Sequence, residues 1–201
     1  MAKRSDRREG DTRTAILDVA ERLVQNRGFN GFSYADVAEQ LSITTPALHY
    51  HFAGKAELGE ALITRYAARF AVALAQIDAT VTDAPAKLKA YADLYLDVLR
   101  DHRMCLCGML AAEYETLPEP MTETVIRFFD SNEHWLAHVL EQGQQDNTLH
   151  FTGTTTEAAR MIVGALEGAM LLARPYGDIA RFQASAARLI ADLIPPTTAR
   201  R

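Results

Sequence analysis

Apolar residues recur at three- and four-residue steps along almost the whole chain, the spacing that gathers them on one face of an α-helix. Ile16, Leu17, Val19, Ala20, Leu23 and Val24 form the first such face, and Asn26-Arg27-Gly28 closes it with basic and glycine stop signals. A short turn from Phe29 to Phe32, built around Gly31, leads to Ser33, a natural N-cap with Asp36 adding negative charge to the first turn. The brief helix that follows carries Val37, Ala38 and Leu41 until Ser42-Ile43-Thr44 interrupts it. Thr45-Pro46 reopens a helix with a cap and a proline at the first helical position, and Ala53-Gly54 breaks it after Phe52.

From Lys55 the pattern is helical to about Ala79, and Thr82-Asp83-Ala84-Pro85 marks a turn. Ala86 to Arg100 places Leu88, Tyr91, Ala92, Tyr95 and Leu99 on one face. Met104 to Tyr114 is apolar and helical in pattern, and Leu117-Pro118-Glu119-Pro120 stops it. Met121 to Gln142 is a long amphipathic helix with Val125, Phe128, Phe129, Leu136 and Leu140. A loop over Asn147 to Thr155 precedes two last helices, Glu157 to Ala173 and Ile179 to Ile194, before Pro195-Pro196. No strand pattern, internal repeat or low-complexity tract interrupts the series. The predicted fold is all-α.

Composition narrows the class. The chain has 201 residues, 48% hydrophobic and 23% charged, which provides a sizeable core and excludes a disordered chain. Its most apolar stretch, Met161 to Ala173, is shorter than the roughly 18 residues of a membrane span and carries Glu167. The basic start, Lys3, Arg4, Arg7 and Arg8, is followed by no apolar segment, so it does not read as a secretory signal. Cys105 and Cys107 are too few for a disulfide framework or a structural zinc site, which suits a reducing cytoplasm. The net charge of −5 speaks against nucleic acid, but its distribution does not. Up to Leu58 acids and bases balance; the whole excess of acid lies beyond. A neutral front part with a basic leading arm permits DNA binding.

The segment Ser33 to Leu58 contains two short helices joined by a tight turn, the outline of a helix-turn-helix. Val37, Ala38, Ile43 and Leu48 fall where such helices touch, and the small Ala38 keeps the crossing close. Thr44, Thr45, Ala47, His49, Tyr50 and His51 occupy the outer face of the second helix, able to make polar or van der Waals contact with DNA. An ordinary helical hairpin shares this spacing. The residues themselves go further: Leu48, His49, Tyr50, His51, Phe52, then Lys55 and Leu58 resemble the DNA-binding domain of TetR-family transcriptional regulators, as do the helix from Thr12 to Gly28 and Phe29. Ser42 departs from the family's usual glycine and His49 from its common tyrosine.

The resemblance implies a three-helix DNA-binding domain at 10–70 (helix-turn-helix about 33–52), a larger helical effector-binding and dimerisation domain at 71–195, and flexible tails at 1–9 and 196–201. It implies contacts to operator DNA from Ser33, Thr44, Thr45, Pro46, Ala47, His49, Tyr50, His51 and Lys55. Among these, Tyr50 and Lys55 would hold phosphates and Thr45 and Ala47 would lie near base edges or the DNA backbone. The basic arm would track a minor groove or remain a solvated tail. Tyr91, Tyr95, Met104, Cys105, Met109, Tyr114, Phe128 and Trp135 are candidate walls of an effector cavity, though mostly they read as core. The small residues Ala158, Ala159, Gly164, Ala165, Gly168 and Ala169, with Ala184, Ala187, Ile190 and Ile194, make the last two helices the expected homodimer interface.

Cys105-Leu106 resembles the pair that opens the sixth helix of some TetR regulators, including electrophile-sensing and acrylate-responsive members. Arg100, His102 and Arg103 nearby would favour a thiolate at Cys105, with Cys107 more buried; two inert core cysteines are the plain alternative. His134 and His138 stand four apart but lack a third ligand, so no metal or cofactor is expected. No nucleophile–base pair or phosphate loop supports catalysis. The expectation is a ligand-responsive repressor that a small molecule releases from double-stranded operator DNA; the rival is a cysteine-dependent redox enzyme.

Overall fold

The computed structural model describes residues 2–196, with side chains from residue 10 onward. The basic arm and the tail after residue 196 therefore fall outside the described side chains. Among the described residues the chain forms nine α-helices and no strand: α1 Ala2–Arg27, α2 Tyr34–Leu41, α3 Thr45–His51, α4 Lys55–Thr80, α5 Ala84–Arg100, α6 Leu106–Ala112, α7 Glu119–Gln145, α8 Thr155–Ala173 and α9 Ile179–Ala191. The all-α expectation holds.

Local chemistry explains most of the boundaries. Ser33 and Asp36 form a reciprocal capping box at the start of α2, and Thr154 and Glu157 form another at α8. Thr44 and Asp83 cap α3 and α5 through their side chains, each followed by a proline in the first turn. α7 begins at Glu119, earlier than expected, because Pro120 falls in its first turn, where no backbone N–H is needed. α6 begins later than Met104, because Cys105 is its N-cap and stays non-helical. A 3₁₀ turn at Tyr114–Thr116 replaces the expected helical end. Asp192 caps α9 before it reaches Ile194.

The helices gather into two compact units. The first joins the chain up to Ala68 with Cys105–Ile126; the second joins Arg69–Met104 with the chain from Arg127 onward. In the first, α1 packs on α2 and α6, and α2 on α3. The α1 face predicted from periodicity is buried there, together with Val37, Leu48, Phe52, Leu58, Leu106 and Leu110. Each such aliphatic side chain stabilises the fold by about 1.5–3 kcal/mol relative to exposure. The second unit is a bundle in which α5, α8 and α9 pack mutually. Its core includes Leu88, Tyr91, Tyr95, Ile162, Leu166, Met170 and Phe182.

Candidate nucleic-acid interface and ligand-domain site

α3 is held from beneath. Leu48 and Phe52 are fully buried, while His49 and Tyr50, one and two positions past Leu48, face solvent. Tyr50 is 73% exposed, an unusual placement for a tyrosine with no apolar cover. Its ring meets His51 edge-on at 5.3 Å. Thr44 Oγ1 accepts the Ala47 N–H at 3.3 Å, so outward it can still donate its hydroxyl proton. His49 Nδ1 lies 3.1 Å from the Ala53 carbonyl and its ring tilts against Tyr34 at 4.8 Å, which leaves Nε2 for other contacts. Thr45, Pro46 and Ala47 form the first turn of α3, half-buried to exposed.

Two predicted contact residues serve the fold in this structure. Ser33 donates its hydroxyl to Asp36 Oδ2 at 2.5 Å while its oxygen faces the Asp36 N–H at 3.4 Å. Lys55 differs more from expectation. Its ammonium donates to the carbonyls of Phe29 and Phe32, both at 2.5 Å, and lies 4.6 and 4.3 Å from the centres of those rings. Burial pushes its pKa below the lysine range, partly countered by the carboxylates of Glu113 and Asp36. The side chain is turned inward because those carbonyls, in the turn between α1 and α2, have no helical partner.

Sequence reasoning missed other parts of this site. Tyr34 Oη donates to the Phe52 carbonyl at 3.1 Å, tying the start of α2 to the end of α3. Burial, with Glu57 nearby, raises its pKa to about 12. Arg13 stacks over the Phe52 ring at 4.6 Å. Glu113 accepts the N–H groups of Phe29 and Asn30. Tyr34 carried a signal in its place after the cap; Glu113 stood out in the sequence only as continuing, with Leu110, the resemblance that begins at Cys105-Leu106, and nothing tied it to a turn more than eighty residues away along the chain.

The candidate effector residues divide between the units. Tyr91, Tyr95, Phe128 and Trp135 come together in the second, around Phe70. Phe70 meets Tyr91, Tyr95 and Phe128 edge-on at 6.0, 6.1 and 5.3 Å, and Trp135 stacks on Tyr91 at 5.6 Å. The buried hydroxyl of Tyr91 lies 3.1 Å from that of Tyr95 and donates to Asn132 at 3.1 Å. Beside Trp135 a cavity of about 230 Å³ is lined by Asp78, Lys87, His138 and Gln142. Lys87 and the Trp135 indole each donate to Asp78 at 2.8 Å. Burial alone would raise the Asp78 pKa, but these hydrogen bonds hold it below the usual carboxylate value. Met104 is buried in the second unit, whereas Cys105, Met109 and Tyr114 belong to the first.

Cys105 and Cys107 are 1% and 0% exposed, so the expected contrast in depth is absent. Cys105 Sγ accepts from Gly108 N–H at 3.5 Å and from Tyr66 Oη at 3.7 Å. His134 and His138 turn their Nδ1 atoms to backbone carbonyls one turn back, at 2.6 and 2.8 Å. Among the described residues no group of three or more His, Cys, Asp or Glu side chains could hold a metal ion. No helix among them is long and apolar enough to cross a membrane.

Comparison with known proteins places this geometry in a family. Residues 16–62 match the family described as bacterial regulatory proteins, tetR family, and residues 84–189 match the tetracyclin repressor-like C-terminal domain. The structure is similar to that of a TetR-family transcriptional regulator from Agrobacterium tumefaciens, 31% identical, over 93% of this chain and 100% of that one, with a TM-score of 0.90. A TetR regulator from Legionella pneumophila is also 31% identical, with 89% and 95% covered and a TM-score of 0.81. The HTH-type transcriptional repressor NemR of Escherichia coli is 25% identical over 173 residues, 83% of this chain and 85% of that protein. These relatives give no support to a cysteine-dependent redox enzyme. With both family domains matched and the helix-turn-helix formed, this chain belongs to the TetR family and is a ligand-responsive, DNA-binding transcriptional regulator rather than an enzyme.

Proposed function

We propose that the protein is a cytoplasmic, homodimeric repressor that leaves its operator when a small molecule binds its second unit. The observation that carries the DNA reading is the exposed outer face of α3, with Tyr50 and His49 standing over a fully buried Leu48 and Phe52. Thr44, Thr45, Pro46, Ala47, His49, Tyr50 and His51 are the proposed contact residues, with Tyr50 on phosphate and Thr45 and His49 reading sequence. Ser33 and Lys55 enter as supports of that surface. Two such helices read successive major grooves when they stand about 34 Å apart, which a dimer can arrange.

The proposed dimer contact is the outer stripe of α8. Met161, Gly164, Ala165, Gly168 and Leu172 recur at three- and four-residue steps, and Met161 and Leu172 are 52% and 67% exposed. A Cβ built on Gly164 or Gly168 would meet nothing within 4 Å, so this face has room for a second backbone. Ala158 and Ala159, also expected there, are buried within the chain and contribute to its own core instead. Of α9, Ala184 and Ala187 are exposed and extend the proposal.

For the effector, the proposed site is the aromatic group of Tyr91, Tyr95, Phe128 and Trp135, with the polar cleft at Asp78 and Lys87 as its hydrophilic end. That combination suits an apolar or aromatic molecule bearing one polar group. Cys105 remains a second reading for electrophiles, favoured by its two hydrogen-bond donors and its place at the start of α6.

The test measures retention on duplex DNA selected from a randomised pool, over a range of salt. Affinity falling steeply with salt is expected. Thr45→Ala and His49→Ala should change which sequences are selected. Release by N-ethylmaleimide that disappears in Cys105→Ser assigns the thiol; release unaffected by the substitution removes it. A protein that binds no duplex overturns the reading.

A further inference from the structure

The segment after α5 folds with the helix-turn-helix unit, and its end grips the turn that enters α2. Glu113, just past α6, accepts the Phe29 N–H on Oε2 at 2.5 Å and the Asn30 N–H on Oε1 at 3.3 Å. Thr116 Oγ1 accepts from the Asn30 side chain at 2.7 Å. From the other side, the Lys55 ammonium donates to the carbonyls of Phe29 and Phe32. One short turn thus has its N–H groups on a carboxylate and its carbonyls on an ammonium, each bond charge-assisted.

The fit leaves little slack. Gly28 adopts φ +83°, and a Cβ there would stand 2.7 Å from Glu113 Oε1. A Cβ on Gly59, one turn into α4, would collide with Met121 and with the Phe29 ring. Position in the chain gives the contacts their meaning. The turn leads straight into Ser33, the N-cap of α2, and Lys55 is the first residue of α4, directly after α3. Lys55 joins the chain entering the helix-turn-helix to the chain leaving it, and Glu113 ties that junction to α6.

The geometry points to Glu113 and Lys55 as positioning residues for DNA binding: a clamp of opposite charges on the turn at 28–32 that sets the pose of α2 and α3. The inference rests on α3 being the helix that reads DNA. Glu113 acts through the turn, without touching DNA. Its loss strands the N–H of Phe29, a residue only 4% exposed. Lys55 has two of its three ammonium protons on protein carbonyls, so its main effect is on pose rather than on phosphate.

The test uses the full-length protein and two probes: a fluorescein-labelled duplex selected by the wild-type protein from a randomised pool, and sonicated calf thymus DNA. For Glu113→Gln and for Lys55→Met, affinity for the selected duplex should fall roughly tenfold, the size of one lost charge-assisted hydrogen bond. For Glu113→Gln, binding to calf thymus DNA should stay as in the wild type, and for both variants the salt slope should be unchanged. The double variant should lose less than the product of the two single losses, because both side chains hold one turn. General loss of structure would instead weaken binding to both DNAs. If Lys55→Met lowers the salt slope by about one unit per subunit and weakens both DNAs equally, Lys55 is a phosphate ligand and the clamp is overturned. Wild-type affinity in Glu113→Gln overturns it too. Failure of the wild-type protein to bind either DNA would sink the reading of α3, a distinguishable outcome. Amide exchange in the unsubstituted protein provides a measurement that needs no variant. Phe29 and Asn30 amides as slow as those inside α1 support the clamp; exchange at open-chain rates overturns it.

Discussion

Ser42 stands at the C-cap of α2 with φ +53°, in the left-handed region where a Cβ is strained. Its N–H still reaches the Ala38 and Glu39 carbonyls, so the turn keeps its hydrogen bonds and carries only the steric cost. Glycine removes that strain and adds some unfolded-state entropy, a net gain of about 0.5–1 kcal/mol. Ser42→Gly should therefore raise the midpoint of urea unfolding without altering its slope. A lowered midpoint would show that the serine hydroxyl matters more than the backbone. The same residue separates α2 from α3, so sequence preference on DNA is a useful second measurement. A turn relaxed in place should leave it unchanged.

At the scale of elements, the capping boxes of α2 and α8 make a pH prediction. Hydrogen bonds from the Ser33 side chain and backbone hold the Asp36 carboxyl below its usual 3.8. Those from the Thr154 backbone and hydroxyl hold Glu157 below 4.5. Both folded-state values are depressed, so the contribution is present above the unfolded values and is lost as pH falls through the lowered folded ones. The Tm advantage of the wild type over Asp36→Asn, Glu157→Gln should be full near neutral pH. It should narrow as pH drops below 4.5 and then 3.8, followed by far-ultraviolet circular dichroism. A gap unchanged down to about pH 2 would mean that the carboxylate charge does not cap these helices.

For the whole molecule, the outward stripe of α8 leads to the third prediction. Small residues at Gly164, Ala165 and Gly168 allow close approach of a twofold-related copy, and Met161 and Leu172 supply apolar area at the stripe's ends. Since a side chain at Gly168 meets nothing of its own chain within 4 Å, Gly168→Arg should leave the subunit's helical content intact. It should shift sedimentation from dimer to monomer at micromolar concentration and weaken operator binding by at least the avidity of two linked sites, on the order of a hundredfold. A dimer that survives Gly168→Arg would move the interface elsewhere. Any effector must act on this assembly through its difference in affinity between DNA-fitting and DNA-misfitting states; tight binding to both shifts nothing.

The sequence by itself determined the run of helices, the Ser33 cap and the recognition motif. Each depends on interactions within a turn or two: the Ser33–Asp36 pair, the prolines after Thr45 and Ala84, and the apolar face from Ile16 to Val24. The cap of α3 is Thr44 rather than the expected Thr45, and the Thr154–Glu157 box of α8 begins where a loop was expected. Where a local signal was balanced by a neighbour, boundaries moved. Pro120 was read as a stop but opens α7, and Cys105 was read as helical but caps α6. Only the tertiary structure decided what each polar side chain holds. Lys55 reads as a phosphate ligand in sequence, yet the carbonyls of Phe29 and Phe32 in the α1–α2 turn draw it inward. Glu113 looks like a surface acid, yet it satisfies amides 84 and 83 positions away. Likewise Cys105, Met109 and Tyr114 part from Tyr91, Tyr95, Phe128 and Trp135 because chain order does not determine which unit a helix joins. Helical periodicity sorts residues by face; which neighbour covers that face depends on long-range packing, and that information appears only when the chain has folded.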